Sequence, residues 1–96
     1  MRPRFVPGDT VRVRQAEPLG HCRTPGFVRG HSGRIERVLD EFPNPEERAY
    51  GRPGLPKVRL YRVRFSQPGL WPDYDGPAGD TLDVEIYEHW LEPAGP

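Results

Sequence analysis

The sequence predicts an all-β fold, a small, partly open barrel of about five short antiparallel strands joined by long loops. Three observations predict it. Apolar residues recur in short runs with a period of two, the pattern of a strand that buries one face. The runs are separated by clusters rich in the 13 prolines and 11 glycines, the residues of turns. No stretch carries an apolar stripe of helical period long enough for a substantial helix. Several short, half-buried antiparallel strands bury one face most simply by curling into a small barrel.

Taken in order, Phe5–Arg14 reads F-V-P-G-D-T-V-R-V-R: Pro7-Gly8-Asp9 marks a turn, and Val11 and Val13 then alternate with Arg12 and Arg14. Gln15–Ser32 is a long loop, and long loops inside small domains are often functional. Gly33–Leu39 is the next strand, with Ile35 flanked by Arg34 and Glu36. Phe42–Pro56 reads as an excursion centred on Glu46, Glu47 and Arg48. Leu60–Phe65 is the strongest strand, with Tyr61, Val63 and Phe65 on one face and Arg62 and Arg64 on the other. Gln67–Gly79 is a loop holding Leu70, Trp71 and Tyr74. In Thr81–Ile86 the residues Leu82, Val84 and Ile86 point inward and Asp83 and Glu85 outward, and Glu88–Leu91 leads into a last short strand. The expected core is Val11, Val13, Ile35, Tyr61, Val63, Phe65, Leu82, Val84 and Ile86.

The 96 residues read as a single domain, 1–96, with room for one core. Hydrophobic content is only 34%, which scattered evenly would suggest disorder; clustering into alternating runs is what points to a fold. Formal net charge is zero, and all of the 14 basic residues except Lys57 are arginine. Arginine makes planar, forked contacts with carboxylates and oxyanions. A neutral, arginine-rich surface suits protein interfaces, whereas nucleic-acid binders carry a positive excess, so no nucleic acid is expected. The lone Cys22 allows no internal disulfide and no cysteine-rich metal site. No leader-like segment and no run approaching ~18 apolar residues is present, so a cytoplasmic protein with no membrane association is expected. Asp73, Asp75 and Asp80 match no calcium-loop spacing and are expected to be solvated.

Four segments carry a resemblance. They are F-x-x-G-D-x-V-R-V at Phe5–Val13, G-H-C-R-T-P-G-F-V-R-G at Gly20–Gly30, L-Y-R-V-R-F at Leu60–Phe65 followed by Leu70-Trp71, and D-V-E-I-Y-E-H-W-L-E-P-A at Asp83–Ala94. In this order they resemble the C-terminal, SH3-like domain of the nitrile hydratase β subunit over nearly the whole chain. The G-D-x-V element is common to many small barrels; the G-H-x-R-x-P-x-[FY]-V-R-G run is far more specific. The chain departs from the family's pattern at Gly26, where a basic residue is frequent, and at Pro72, where glycine is commoner. It also begins almost at the barrel, without the helical half that precedes it in the usual β subunit. Thiocyanate hydrolase and the three-subunit nitrile hydratase of the toyocamycin type divide the β-type chain in this way.

The resemblance implies a subunit that binds no cofactor itself. The metal, low-spin Co(III) or Fe(III), would sit on an α-type partner in a C-x-x-C-S-C segment, with two of its cysteine ligands oxidised. A separate helical chain of the β N-terminal type would be the other partner. By motif position Arg29, in F-V-R-G, matches the family's arginine that donates to the oxidised cysteine oxygens. Arg23 and His21, in G-H-C-R, would support the loop or the subunit contact. Without the resemblance, Arg29 is an arginine in a loop, His21 a structural histidine and Cys22 a small side chain. Trp71, Tyr61 and Trp90 read as core or interface residues. The implied reaction is hydration of a nitrile to an amide, or hydrolysis of thiocyanate. An activator or metallochaperone of such an enzyme is the competing reading, but it has no need of Arg29.

Overall fold

The computed structural model describes residues 3–15 and 24–94. They form one antiparallel sheet of five strands: β1 (Thr10–Val13), β2 (Ser32–Phe42), β3 (Val58–Ser66), β4 (Thr81–Tyr87) and β5 (Leu91–Pro93), in the order β4-β3-β2-β1-β5. The sheet is open. Its two edges are β4 and β5, and no ladder joins them among the described residues. All five expected strands are present, and β2 and β3 run longer than the alternation indicates.

Two segments read as loops contain single helical turns. In the excursion, Phe42 belongs to β2 and Pro45–Arg48 forms α1. Asn44 caps it, accepting from the Glu46 N–H at 3.0 Å, and Pro45 occupies the first turn, where its missing N–H costs nothing. After β3, Gln67–Leu70 forms α2 under a Ser66 cap. Four residues are too few to show a helical period, which is why the sequence pattern passes over both turns.

The core follows the pleat. Ile35 pairs with Val63, and Val63 with Val84; Val38 pairs with Tyr61, and Tyr61 with Ile86. Between Ile35 and Arg37 the strand β2 carries one more residue than β3, a bulge that brings Val38 to the same face as Ile35 and bends the strand. Where β2 faces β1 the packing leaves no room for a side chain: a Cβ on Gly33 would lie 2.8 Å from Val63 Cγ1 and 2.9 Å from the Arg64 carbonyl. Seven of the nine expected core residues are fully buried. Leu82 and Val84 are only partly buried, because β4 is an edge strand with one neighbour. The core also takes in Phe5, Val28, Leu70, Trp90 and Leu91. Tyr61 lies at its centre, edge-on to Phe5 with ring centroids 5.6 Å apart, and its hydroxyl accepts the Phe5 N–H at 3.2 Å. Burial pushes the phenol's pKa up, against the opposing effect of that hydrogen bond.

The outer face is an ionic lattice. Arg64 forks onto Asp83, Nε to Oδ1 at 2.9 Å and Nη2 to Oδ2 at 3.0 Å, and Arg62 donates to Glu85 at 3.0 Å. The hydrogen bonds from Arg64 hold the Asp83 carboxyl below its usual range. A carboxylate with a depressed folded-state pKa adds stability above its unfolded pKa of about 4, and that stability is lost as pH falls through the folded value. Both side chains are substantially solvated, so the contribution is small. Asp83→Asn is therefore expected to lower the urea midpoint slightly at pH 7 and to make no difference near pH 2. An equal loss at both pH values would show that the ionised pair is not the source.

Candidate functional site

The segment Thr24–His31 carries the most specific motif, and its backbone explains the spacing. Pro25 leads into a 3-10 turn at Gly26–Val28. Val28, fully buried, anchors the turn in the core, while its neighbour Phe27 is left exposed. Arg29 follows in extended conformation, and Gly30 reverses the chain with φ +80°, a value that favours glycine. The Gly30 N–H then donates to the Val13 carbonyl at 2.8 Å, and the Val13 N–H to the His31 carbonyl at 2.9 Å, which delivers the chain into β2 beside β1. The V-R-G order thus means an apolar anchor, a presented arginine and a reversal.

Arg29 is half-buried. One of its Nη2 hydrogens goes to the carbonyl of buried Thr24 at 3.1 Å. Its Cζ stands 5.2 Å from the centroid of the Trp90 ring, within the range of a cation–π contact. Its Nε is buried and has no hydrogen-bond partner among the described residues. A buried guanidinium N–H left unpaired is costly. Its plane is fixed from two sides, and a guanidinium held in one plane can fork onto a planar anionic acceptor.

The platform under Arg29 is itself held. The Trp90 Nε1–H donates to Glu46 Oε1 at 3.0 Å, and His89 Nε2 lies 2.9 Å from Glu46 Oε2. The Trp90 carbonyl accepts the Arg14 N–H at 2.9 Å, tying the 3-10 turn Glu88–Trp90 to the end of β1. Beside the motif, Phe27 and Trp71 stack with centroids 5.3 Å apart, and the Trp71 Nε1–H donates to Gln67 Oε1 at 2.6 Å. Both rings remain more than a third exposed, so Trp71 is a surface aromatic here and not a core residue.

Of the expected site residues, Arg29 is placed as described. His21 and Arg23 lie outside the described residues, as does Cys22. Glu46 is the residue of this cluster that sequence reasoning passed over. Its signal was the N-P-E-E run at Asn44–Glu47, a helix start that brings acidic residues into a first turn. Asp80 is not free in solvent as expected: it accepts a hydrogen bond from the Tyr74 hydroxyl. Asp73 and Asp75 are exposed. Among the described residues no three His, Cys, Asp or Glu side chains are grouped to hold a metal ion, and no helix is long and apolar enough to cross a membrane.

Comparison with known proteins gives concordant matches. Residues 1–93 match the family model of the nitrile hydratase β subunit, C-terminal. The chain is 38% identical over 94 residues to thiocyanate hydrolase subunit α of Thiobacillus thioparus, covering 97% of this chain and 74% of that one. It is 33% identical over 90 residues to the nitrile hydratase β subunit of Pseudomonas putida, and 35% over 88 residues to that of the cobalt-containing enzyme of Pseudonocardia thermophila. It spans only 41% and 36% of the length of those two β subunits. Among solved structures, a chain of the recombinant apo-enzyme of T. thioparus thiocyanate hydrolase superposes with a TM-score of 0.89 at 38% identity, covering 97% of this chain and 78% of that chain.

Proposed function

Because the chain belongs to the family of the nitrile hydratase β subunit, C-terminal, we propose that it serves as a non-metal-binding subunit of a nitrile hydratase-type enzyme that converts a nitrile and water to an amide. The observation that carries the proposal is the guanidinium of Arg29, held in one plane by the Trp90 ring and the Thr24 carbonyl, with no partner for its Nε–H among the described residues. In this reading an α-type partner bears the C-x-x-C-S-C segment. The metal it holds, Co(III) or Fe(III), supplies Lewis acidity toward the nitrile or a bound water. A relative named as cobalt-containing favours cobalt. Arg29 donates to the oxygens of the partner's oxidised cysteines and keeps those anionic ligands in place. Arg23 and His21 support the loop that presents it. The active complex also contains a helical chain of the β N-terminal type, and the assembly works in the cytoplasm.

A second reading is favoured by the 38% identity to a thiocyanate hydrolase subunit: the same architecture acting on thiocyanate. The two readings share partners and differ in substrate.

Assembly is the test. Co-expressed with an α-type chain and a helical β N-terminal-type chain, this chain is expected to co-elute in one complex that turns over nitriles, or thiocyanate under the second reading. Separate elution at every salt concentration from low to near-molar would overturn the subunit role. A complex that forms with neither activity would refute both reactions.

A further inference from the structure

The excursion between β2 and β3 delivers one carboxylate to the N–H edge of Trp90. Asn44 caps α1, and its own N–H donates to the Gly54 carbonyl at 2.8 Å, closing the loop on itself. Gly54 has φ +75°, and a Cβ there would lie 2.8 Å from Asn44 N, so the closure depends on glycine. Glu46 projects from the first turn of this braced loop. Its two oxygens meet the Trp90 Nε1–H at 3.0 Å and His89 Nε2 at 2.9 Å. Trp90 is 7% exposed, and on its ring face lies Arg29, with Cζ 5.2 Å from the centroid.

Two effects run through this stack. A hydrogen bond to the indole N–H adds a directional restraint to a ring that core packing already confines. An anionic acceptor also polarises the indole and raises electron density on its face, which strengthens its attraction for a guanidinium. We infer that Glu46 is a positioning residue for Arg29, acting through the Trp90 indole to hold the guanidinium in one plane. The inference rests on the role given to Arg29 above, but its test does not need an active enzyme.

The test is the Arg29 Nε–H signal in nitrogen-15 NMR of the full-length chain. In the unaltered protein this proton is expected to be displaced by the ring current and protected from exchange. Glu46→Ala is expected to shift it toward the free-arginine position and to speed its exchange. Glu46→Gln, whose amide oxygen still accepts the indole N–H, is expected to restore most of the protection. An unchanged Arg29 signal in Glu46→Ala would overturn the inference. Should Glu46→Ala disturb the β-strand amides, Trp90→Phe decides instead, since it keeps a ring and deletes the N–H. Loss of Arg29 protection supports the anchored ring; retention overturns it. Failure of the underlying reading has a different signature: the NMR coupling persists while turnover of the assembled enzyme is indifferent to Arg29→Lys.

Discussion

Arg29→Lys is expected to leave the sheet folded and the complex assembled, and to lower turnover by between about tenfold and a little over a hundredfold. Lysine keeps the charge but replaces a planar fork by a rotatable ammonium. It cannot donate to the Thr24 carbonyl and to an external anion in one plane, and it stacks less well on the Trp90 face. The loss of one charged hydrogen bond, about 1.5–3 kcal/mol, converts to that range if it is felt fully in the transition state. The control is Arg34→Lys. Arg34 is exposed on the outer face of β2, opposite Arg64 and remote from the Trp90 stack in the sheet register, so its replacement is expected to be silent. Steady-state nitrile hydration by the assembled complex checks both, with assembly followed by size-exclusion chromatography and cysteine oxidation by intact mass. Wild-type turnover in the Arg29→Lys complex would remove the role assigned to this residue.

Tyr61→Ala is expected to cost about 3–5 kcal/mol, the range for deleting a large buried aromatic side chain. Domains of this size hold only about 5–15 kcal/mol in total, so the variant should be marginally folded at room temperature. The ring is fully buried between Val38 and Ile86 in the register and edge-on to Phe5. Tyr61→Phe keeps the ring and removes only the acceptor of the Phe5 N–H, leaving a buried donor unpaired at a cost of about 1–3 kcal/mol. Urea denaturation followed by circular dichroism separates the two. A midpoint for the alanine variant above that of the phenylalanine variant would mean the centre of the core has been misplaced.

The sheet was legible where one face of a strand is buried and the other wet. Val11 and Val13, Tyr61, Val63 and Phe65, and Ile86 announce their strands because period two is local information. Strand order is not local, so nothing in T-L-D-V-E-I says that β4 has a single neighbour and that Leu82 and Val84 stay half-covered. Trp90, read as a core or interface residue, is buried, but Val28 and Leu70 were hidden for a related reason. They lie in single turns, with no period of their own, and are buried only because the turns fold back onto the sheet. Arg29 could be singled out through its motif alone; its loop composition is that of any surface turn. Glu46 and Trp90 stand 44 residues apart, and nothing in either neighbourhood points to the other.

An open sheet has two rims, and each invites another chain to add a strand. On β5 the invitation is weak: the strand is three residues long and ends in Pro93, which has no N–H to offer. The β4 rim is longer, seven residues, and a second copy aligned antiparallel against it would set Asp83 and Glu85 beside their own kind. Each carboxylate is already committed inward, to Arg64 and Arg62, so neither can turn to welcome a newcomer. With both carboxylates paired inside the sheet, a copy approaching the β4 rim would meet backbone groups but no free side-chain partner at these two positions.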